Sequence, residues 1–215
     1  MTQPVAPARD CPLCPRLAAL RQTCRTANPH WHAAPVPSFG DEDAAVLIVG
    51  LAPGLQGANR TGRPFTGDFA GVLLYQTLLG AGLAEGRYQA DPADGLRLAG
   101  CRITNAVRCV PPENRPSTAE IEACRPFLAA EIAAMARLRA ILALGNIAHN
   151  AVLACYSVRR ASFPFRHGVR HRLPDGKVLV DSYHCSRLNT NTGRLTKAMF
   201  EAVIADLAAA ARASG

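Results

Sequence analysis

Two unbroken apolar runs constrain this chain more than any other feature: Ala44 to Val49 (AAVLIV) and Ala140 to Leu144 (AILAL), each closed by a glycine. A strand with one face in water alternates apolar and polar residues, so a strand with no polar position is expected to be covered on both faces. Such strands belong to a parallel sheet with helices on either side. The spacing of the remaining segments supplies those helices. Phe69 to Leu79 reads as a helix and Cys101 to Val107 as a second strand. Ser117 and Glu120 stand in capping-box spacing and start a helix running toward Met135, which Pro126 is expected to kink or divide. Asn146 to Cys155 forms a helix behind the AILAL strand, Lys177 to Asp181 is the fourth strand, and Leu195 to Ala211 is a closing helix with Leu195, Met199, Val203 and Leu207 on one stripe. Strand and helix alternate without an internal repeat, which predicts an α/β fold with a parallel sheet. A chain of 215 residues with 49% hydrophobic content suits one domain.

In such sheets ligands sit beyond the carboxyl ends of the strands. Three segments fall there: GLAPGLQGANRTGRPFTGD (50 to 68), NAVRC (105 to 109) and SYHCSRLNTNTGR (182 to 194). The first carries five glycines, two prolines and two arginines in nineteen positions. It contains neither the P-loop pattern nor G-x-G-x-x-G, so no nucleotide cofactor is expected. Its glycines allow close approach to the backbone, and Arg60 and Arg63 are placed to meet phosphate. A long turn explains the Gly and Pro content, but not the polar cluster Thr66, Gly67 and Asp68 just before a helix.

The net charge of +8 is concentrated. Between Tyr156 and Lys197 nine Arg or Lys stand against Asp175 and Asp181, a net +7. This describes either a solvated basic face or a phosphate-contacting surface whose binding weakens with salt. The N-terminus has no apolar core of signal-peptide length, and no apolar run reaches the roughly 18 residues of a membrane span. A soluble, cytoplasmic protein with no membrane contact is expected. Among eight cysteines, Cys11 and Cys14 form C-x-x-C, while Cys109 and Cys124 lie fifteen positions apart. Disulfides are unusual in the cytoplasm. Four thiolates hold zinc or an iron–sulfur cluster, and ligand identity alone does not separate the two. Cys24 is a rival ligand, whereas Cys101, Cys155 and Cys185 read as small buried hydrophobes.

Together these segments resemble one family. GLAPGLQGANRTGRPFTGD resembles the first motif of the uracil-DNA glycosylase superfamily, in its fifth, type-B branch. TNAVRCVPPENRPSTAEIEACRPFL (104 to 128) is similar to that branch's middle segment, SYHCSRLNTNTGRLT (182 to 196) to its second motif, and CPLC to its N-terminal cysteine pair. The resemblance spans most of the chain in the right order. It implies a three-layer α/β/α sandwich with a central, mainly parallel four-stranded sheet. Residues 1 to 215 would form a single domain, with residues 1 to 40 an arm tied in by a structural 4Fe-4S cluster on Cys11, Cys14, Cys109 and Cys124.

The resemblance also implies a monomeric, monofunctional DNA repair enzyme that excises uracil from double- or single-stranded DNA and leaves an abasic site. Such an enzyme must flip its target base into a pocket, at a cost of about a few kcal/mol. By the family's motifs the pocket falls to Gly50, Ala52, Pro53, Gly54 and Phe65, with Phe65 as the stacking platform and Asn105 as polar partner of the base edge. Cleavage through an oxocarbenium-like sugar needs a donor for the departing base and a carboxylate near the sugar. His184 is the donor and Asp68 the carboxylate. Arg60, Arg63, Ser186, Arg187, Leu188, Asn189, Asn191 and Arg194 are the expected DNA contacts, with Leu188 or Arg187 as the wedge. Related families carry an acidic or amide side chain where this chain has Ala52. That implies a roomier pocket, open to hypoxanthine, xanthine or ethenocytosine. Cys185 departs from the proline that usually follows the motif histidine. The contrasting reading is a non-catalytic nucleic-acid-binding module with a four-cysteine zinc site.

Overall fold

A computed structural model describes residues 6–213; residues 1–5 and 214–215, the ends of the expected domain, lie outside the described residues. The helices are α1 (Pro15–Ala27), α2 (Ala58–Thr61), α3 (Phe69–Gly80), α4 (Thr118–Ala134), α5 (Asn146–Cys155), α6 (Arg187–Asn191) and α7 (Lys197–Ala213). The strands are β1 (Phe39–Gly40), β2 (Val46–Gly50), β3 (Ala84–Glu85), β4 (Arg97–Leu98), β5 (Cys101–Asn105), β6 (Ala140–Leu144), β7 (Arg170–Arg172) and β8 (Val178–Ser182).

The two apolar runs become β2 and β6, hydrogen-bonded side by side at the centre of a sheet ordered β1-β5-β2-β6-β8-β7. The four inner strands are parallel, as the sequence predicts. The sheet has six strands because β1 and β7 add antiparallel edges, and these are too short to show any periodicity. Both faces of the inner strands are covered. Val46 and Ile48 of β2 pack with Leu74, Tyr75, Phe200 and Ile204 from α3 and α7. Leu47 and Val49 pack with Leu128, Ile132 and Val152 from α4 and α5. This is the expected three-layer sandwich, and it explains why neither run tolerates a polar residue.

Pro126 does not divide α4, which runs unbroken for 17 residues. The carbonyl that Pro126 leaves without a donor belongs to Glu122, an exposed position where water serves it. The capping box forms as predicted, with Ser117 Oγ accepting from Glu120 N and the Glu120 carboxylate accepting from Ser117 N. The chain leaves β2 toward β5 and returns to the other side of β2 at β6. The strand order therefore reverses around β2, and the crevice beyond its carboxyl end is where a ligand belongs.

Leu142 is fully buried at the centre of the sheet. Leu142→Ala is expected to lower unfolding free energy by about 2–5 kcal/mol, read as a lower urea midpoint with an unchanged slope.

Candidate active site

A cavity of about 380 Å3 opens at the carboxyl ends of β2, β5 and β8. That is within the ~300–1,000 Å3 usual for small-ligand sites. Ala52, Pro53, Gly54, Phe65 and Asp68 enter it from the segment after β2, Asn105 from the end of β5, and His184, Ser186 and Arg187 from the segment after β8. The three segments singled out in the sequence thus converge on one hollow. Gly50 lies behind the wall instead of in it. A Cβ there would collide with Asn105 Oδ1 and would come within 2.6 Å of the Phe65 ring, so only glycine lets those two side chains meet.

Asn105 is 3% exposed, and its Oδ1 has no hydrogen-bond partner among the described residues. A buried acceptor left unpaired costs about 1–3 kcal/mol, which marks a place where a ligand donor is expected. Phe65 stands beside it, with its ring centroid 6.0 Å from that of His184 and the planes tilted by 31°. The Phe65 backbone is in the left-handed region at φ 54°, a strain of about 1–3 kcal/mol that the surroundings must hold. They do so from three sides. Tyr75 Oη donates to Pro64 O at 2.6 Å and Tyr88 Oη to Phe65 O at 3.2 Å, and a side chain at Gly71 would strike the Phe65 carbonyl.

Asp68 caps α3, its Oδ1 accepting from Gly71 N at 3.1 Å. The cap and the pocket carboxylate are the same group. The other oxygen, Oδ2, lies against Gly54 and Gly57, where a Cβ would approach to 3.3 and 2.6 Å. Burial raises the Asp68 pKa, against the lowering effect of the Gly71 and Ala70 amides. Burial likewise lowers that of His184, which therefore meets a ligand as a neutral imidazole able to donate one hydrogen bond. Gly145, at φ 97°, takes a backbone conformation that suits glycine at the end of β6, next to His184.

Arg63 requires a correction. It is 5% exposed and forms a bidentate pair with Asp94 at 2.8 Å on each arm, with Phe39, Tyr75 and Tyr88 around the guanidinium. A cation so enclosed does not reach DNA phosphate; it braces the motif. Arg60 is exposed, as expected. The SRLNTN stretch is a short helix, α6, in which Ser186 is the N-cap. Asn189 turns inward, and its Nδ2 donates to His184 O at 2.8 Å, so it positions the histidine and does not face outward. Leu188 is 72% exposed, the position expected of a wedge, while Arg187 lies over the Phe69 ring at 5.1 Å on the rim. Asn191 and Arg194 are exposed, the latter stacked on Tyr183 at 4.5 Å. Cys185 is fully buried in the core beside Leu195 and Phe200, with its thiol pushed up to about 12 by burial, so it replaces proline as an inert filler.

Cys11, Cys14, Cys109 and Cys124 line one buried seam between α1, α4 and the segment after β5, against Leu17, Val107 and Phe127. Cys24 does not line it. Arg21 is buried there without a carboxylate partner among the described residues; its Nη1 donates to Cys109 Sγ at 3.1 Å and its Nη2 to Cys11 O at 2.9 Å. Arg108 N donates to Cys124 Sγ at 3.4 Å. A buried cation with donors aimed at sulfur fits anionic thiolates that hold a metal centre. The only trio of His, Cys, Asp or Glu ligand atoms lying mutually within 4.8 Å among the described residues is His149, His171 and Asp181.

Two further features were missed from sequence. Asn114 reaches the pocket, because Glu113 and Asn114 both take left-handed backbone, at φ 55° and 56°. Its signal was the PPENRP run itself. Asp181 and His149 form a buried pair at 2.7 Å, with His149 Nε2 bonded to Phe163 O at 2.8 Å. This network anchors the end of β8, three residues before His184, and no local pattern announces it.

A parallel α/β sandwich with a carboxylate, a buried amide and an aromatic ring at a strand-end pocket is built to hold a small, flat, polar ligand. The chain matches the uracil DNA glycosylase superfamily over residues 37–208. It is 48% identical to a type-5 uracil-DNA glycosylase of Thermus thermophilus over 200 residues, 90% of each chain. It is 44% identical to one of Mycobacterium leprae over 205 residues, 91% of this chain and 89% of the relative. A type-4 enzyme of Pyrobaculum aerophilum matches over 119 residues only, at 39% identity and 55% of this chain. The chain belongs to the uracil-DNA glycosylase superfamily, in its type-5 branch.

Because the folded-state pKa of Asp68 is raised, its contribution favours the fold below the unfolded value and is lost as pH rises through the folded one. Asp68→Asn retains a capping side chain and removes the buried charge. The variant is expected to melt higher than the native protein at pH 7, with the difference vanishing in thermal scans as the pH is lowered below the ordinary aspartate range.

Proposed function

We propose that this protein is a monofunctional DNA glycosylase that flips uracil, and other deaminated or damaged bases such as hypoxanthine, xanthine and ethenocytosine, into the β2–β5–β8 pocket and hydrolyses the N-glycosidic bond. The observation that carries this reading is the unpaired Oδ1 of Asn105, buried beside Phe65. An amide oxygen there accepts from the ring N–H of a lactam edge, which uracil, hypoxanthine and xanthine share and cytosine lacks. Phe65 stacks on the base and His184 donates to a base oxygen as negative charge departs. Asp68 Oδ2 faces the sugar, where it stabilises positive charge and holds water. Ala52 contributes no polar group to the pocket, which supports tolerance of larger bases.

The same reading assigns a 4Fe-4S cluster to Cys11, Cys14, Cys109 and Cys124, supported by their gathering in one seam and by the buried Arg21 beside Cys109. When bound, the cluster supplies a covalent tie between the N-terminal arm and the segments after β5, and no redox chemistry is required of it. The contrasting reading, a non-catalytic module with zinc, uses Asp68 only as the cap of α3 and leaves its buried Oδ2 without a role.

Incubation of the purified protein with single-site deoxyuridine and deoxyinosine duplexes, without nucleotide or added metal, is expected to yield abasic sites; background levels on both would remove the glycosylase reading. Asp68→Asn and His184→Ala should each lower the single-turnover rate by about 100-fold or more. The native rate should fall on the acid side as Asp68 protonates, at a pH above that of an ordinary aspartate, and Asp68→Asn should abolish that limb. Anaerobically purified protein is expected to be brown, with about four irons per chain. Stoichiometric zinc without iron would sink the cluster, and iron chelation should loosen residues 9–27 in hydrogen exchange.

A further inference from the structure

On the far side of the first motif lies a second, open hollow of about 440 Å3, walled by Arg9, His30, Trp31, Arg60, Thr61 and Asp91 among others. Neither motif chemistry nor the base pocket uses it. Trp31 is the only tryptophan of the chain and is half-buried there. Arg9 and Arg60 are exposed, and neither has a carboxylate partner among the described residues; Arg60 Nε donates only to Gln56 O, at 2.9 Å. The contrast with neighbouring arginines is sharp. Arg16 pairs with Glu120, Arg25 with Asp10 and Arg63 with Asp94. Two cations left unpaired beside a flat aromatic ring form the chemistry that takes a phosphate and a stacked base.

The hollow is also built, and it is joined to the base pocket. His32 N donates to Arg60 O at 3.0 Å and Ala33 N to Asn59 O at 2.9 Å, which docks the arm onto the motif. The Arg60 guanidinium reaches over Gly67, where a Cβ would meet Nη2 at 2.8 Å. Gly67 directly precedes Asp68, so the two hollows stand back to back across one stretch of backbone. Asp91 is the only acidic wall residue, and its Oδ1 is engaged by Ala93 N at 2.8 Å.

We propose that this hollow is a second nucleic-acid contact, holding the strand that flanks the flipped nucleotide: its phosphate on Arg9 and Arg60, a neighbouring base on Trp31. The inference rests on the reading of DNA as substrate, and it adds a contact on the side of the pocket opposite the Leu188 rim. It makes the N-terminal arm part of the DNA track as well as the carrier of two cysteines.

The lone tryptophan is a built-in probe. Titration of the holoprotein with an undamaged single-stranded 20-mer is expected to quench Trp31 emission saturably, and less so as salt rises. Trp31→Ala and Arg9→Ala should each weaken binding of that oligonucleotide by about tenfold in an anisotropy assay. Arg9 is an exposed position, so loss of folding does not confound its variant. Emission that ignores DNA, together with native affinity in both variants, overturns the proposal while leaving uracil excision untouched. Quenching with no excision of any base keeps the contact and removes the glycosylase reading instead.

Discussion

The structure turns on a buried ion pair. Arg63 and Asp94 meet through two parallel hydrogen bonds, and Asp94 also accepts from Gln89 N and Leu96 N, so its oxygens are fully used. The Arg63 side-chain bond holds the Asp94 carboxyl well below the usual carboxylate range. A buried pair repays its desolvation only when geometry and remaining hydrogen bonds are good, and here both are. Arg63 Nε donates to Thr66 Oγ1 at 2.7 Å, and the guanidinium lies against Phe39, Tyr75 and Tyr88. The two tyrosines in turn bond the Pro64 and Phe65 carbonyls. The pair thus holds Phe65 in the left-handed backbone that puts its ring in the pocket, and it holds Asp68 three residues on.

A second dependence runs through the exit of β5. Asn105 closes the strand at the pocket, and Cys109 follows four residues later in the cysteine seam. Ala52 packs toward that seam from the pocket side, and Val107 N donates to Leu51 O at 2.9 Å. The pocket and the cysteine seam thus share the backbone of residues 51–52 and 105–107, and whatever fixes the sulfurs also steadies the Asn105 amide.

The inner sheet, helices α3, α4, α5 and α7 and the capping box of α4 were readable from sequence because each has a local cause, such as an unbroken apolar run, a 3.6-residue stripe or a serine three before a glutamate; the 13-residue α1 was not foreseen. The three strand-end segments were readable as one site because a parallel sheet gathers its carboxyl ends on one edge. Other elements escaped for equally physical reasons. β1 and β7 have two and three residues, too few for a period. Pro126 looked like a break because its missing bond counts, but whether that bond is missed depends on water at Glu122, which only packing reveals. Arg63 and Arg60 are the same residue type three positions apart, yet one is buried against Asp94 and the other faces solvent. Asn189 looked like a phosphate donor and instead bonds the His184 carbonyl.

By itself the sequence determined the layered α/β frame and most of the side chains offered to the pocket, while the four cysteines were grouped by resemblance to a family. These follow from periodicity and from motifs whose residues are close along the chain. Tertiary structure alone decided which of the offered groups are free. Asn105 Oδ1 is left unpaired, Asp68 is both cap and carboxylate, Arg63 is spent inside, and Arg60 and Arg9 are left outside with Trp31. Whether a polar group is satisfied depends on partners far along the chain, 31 residues away for Arg63 and Asp94 and 88 for Arg21 and Cys109. Such partners are chosen by packing and leave no periodic trace in the chain.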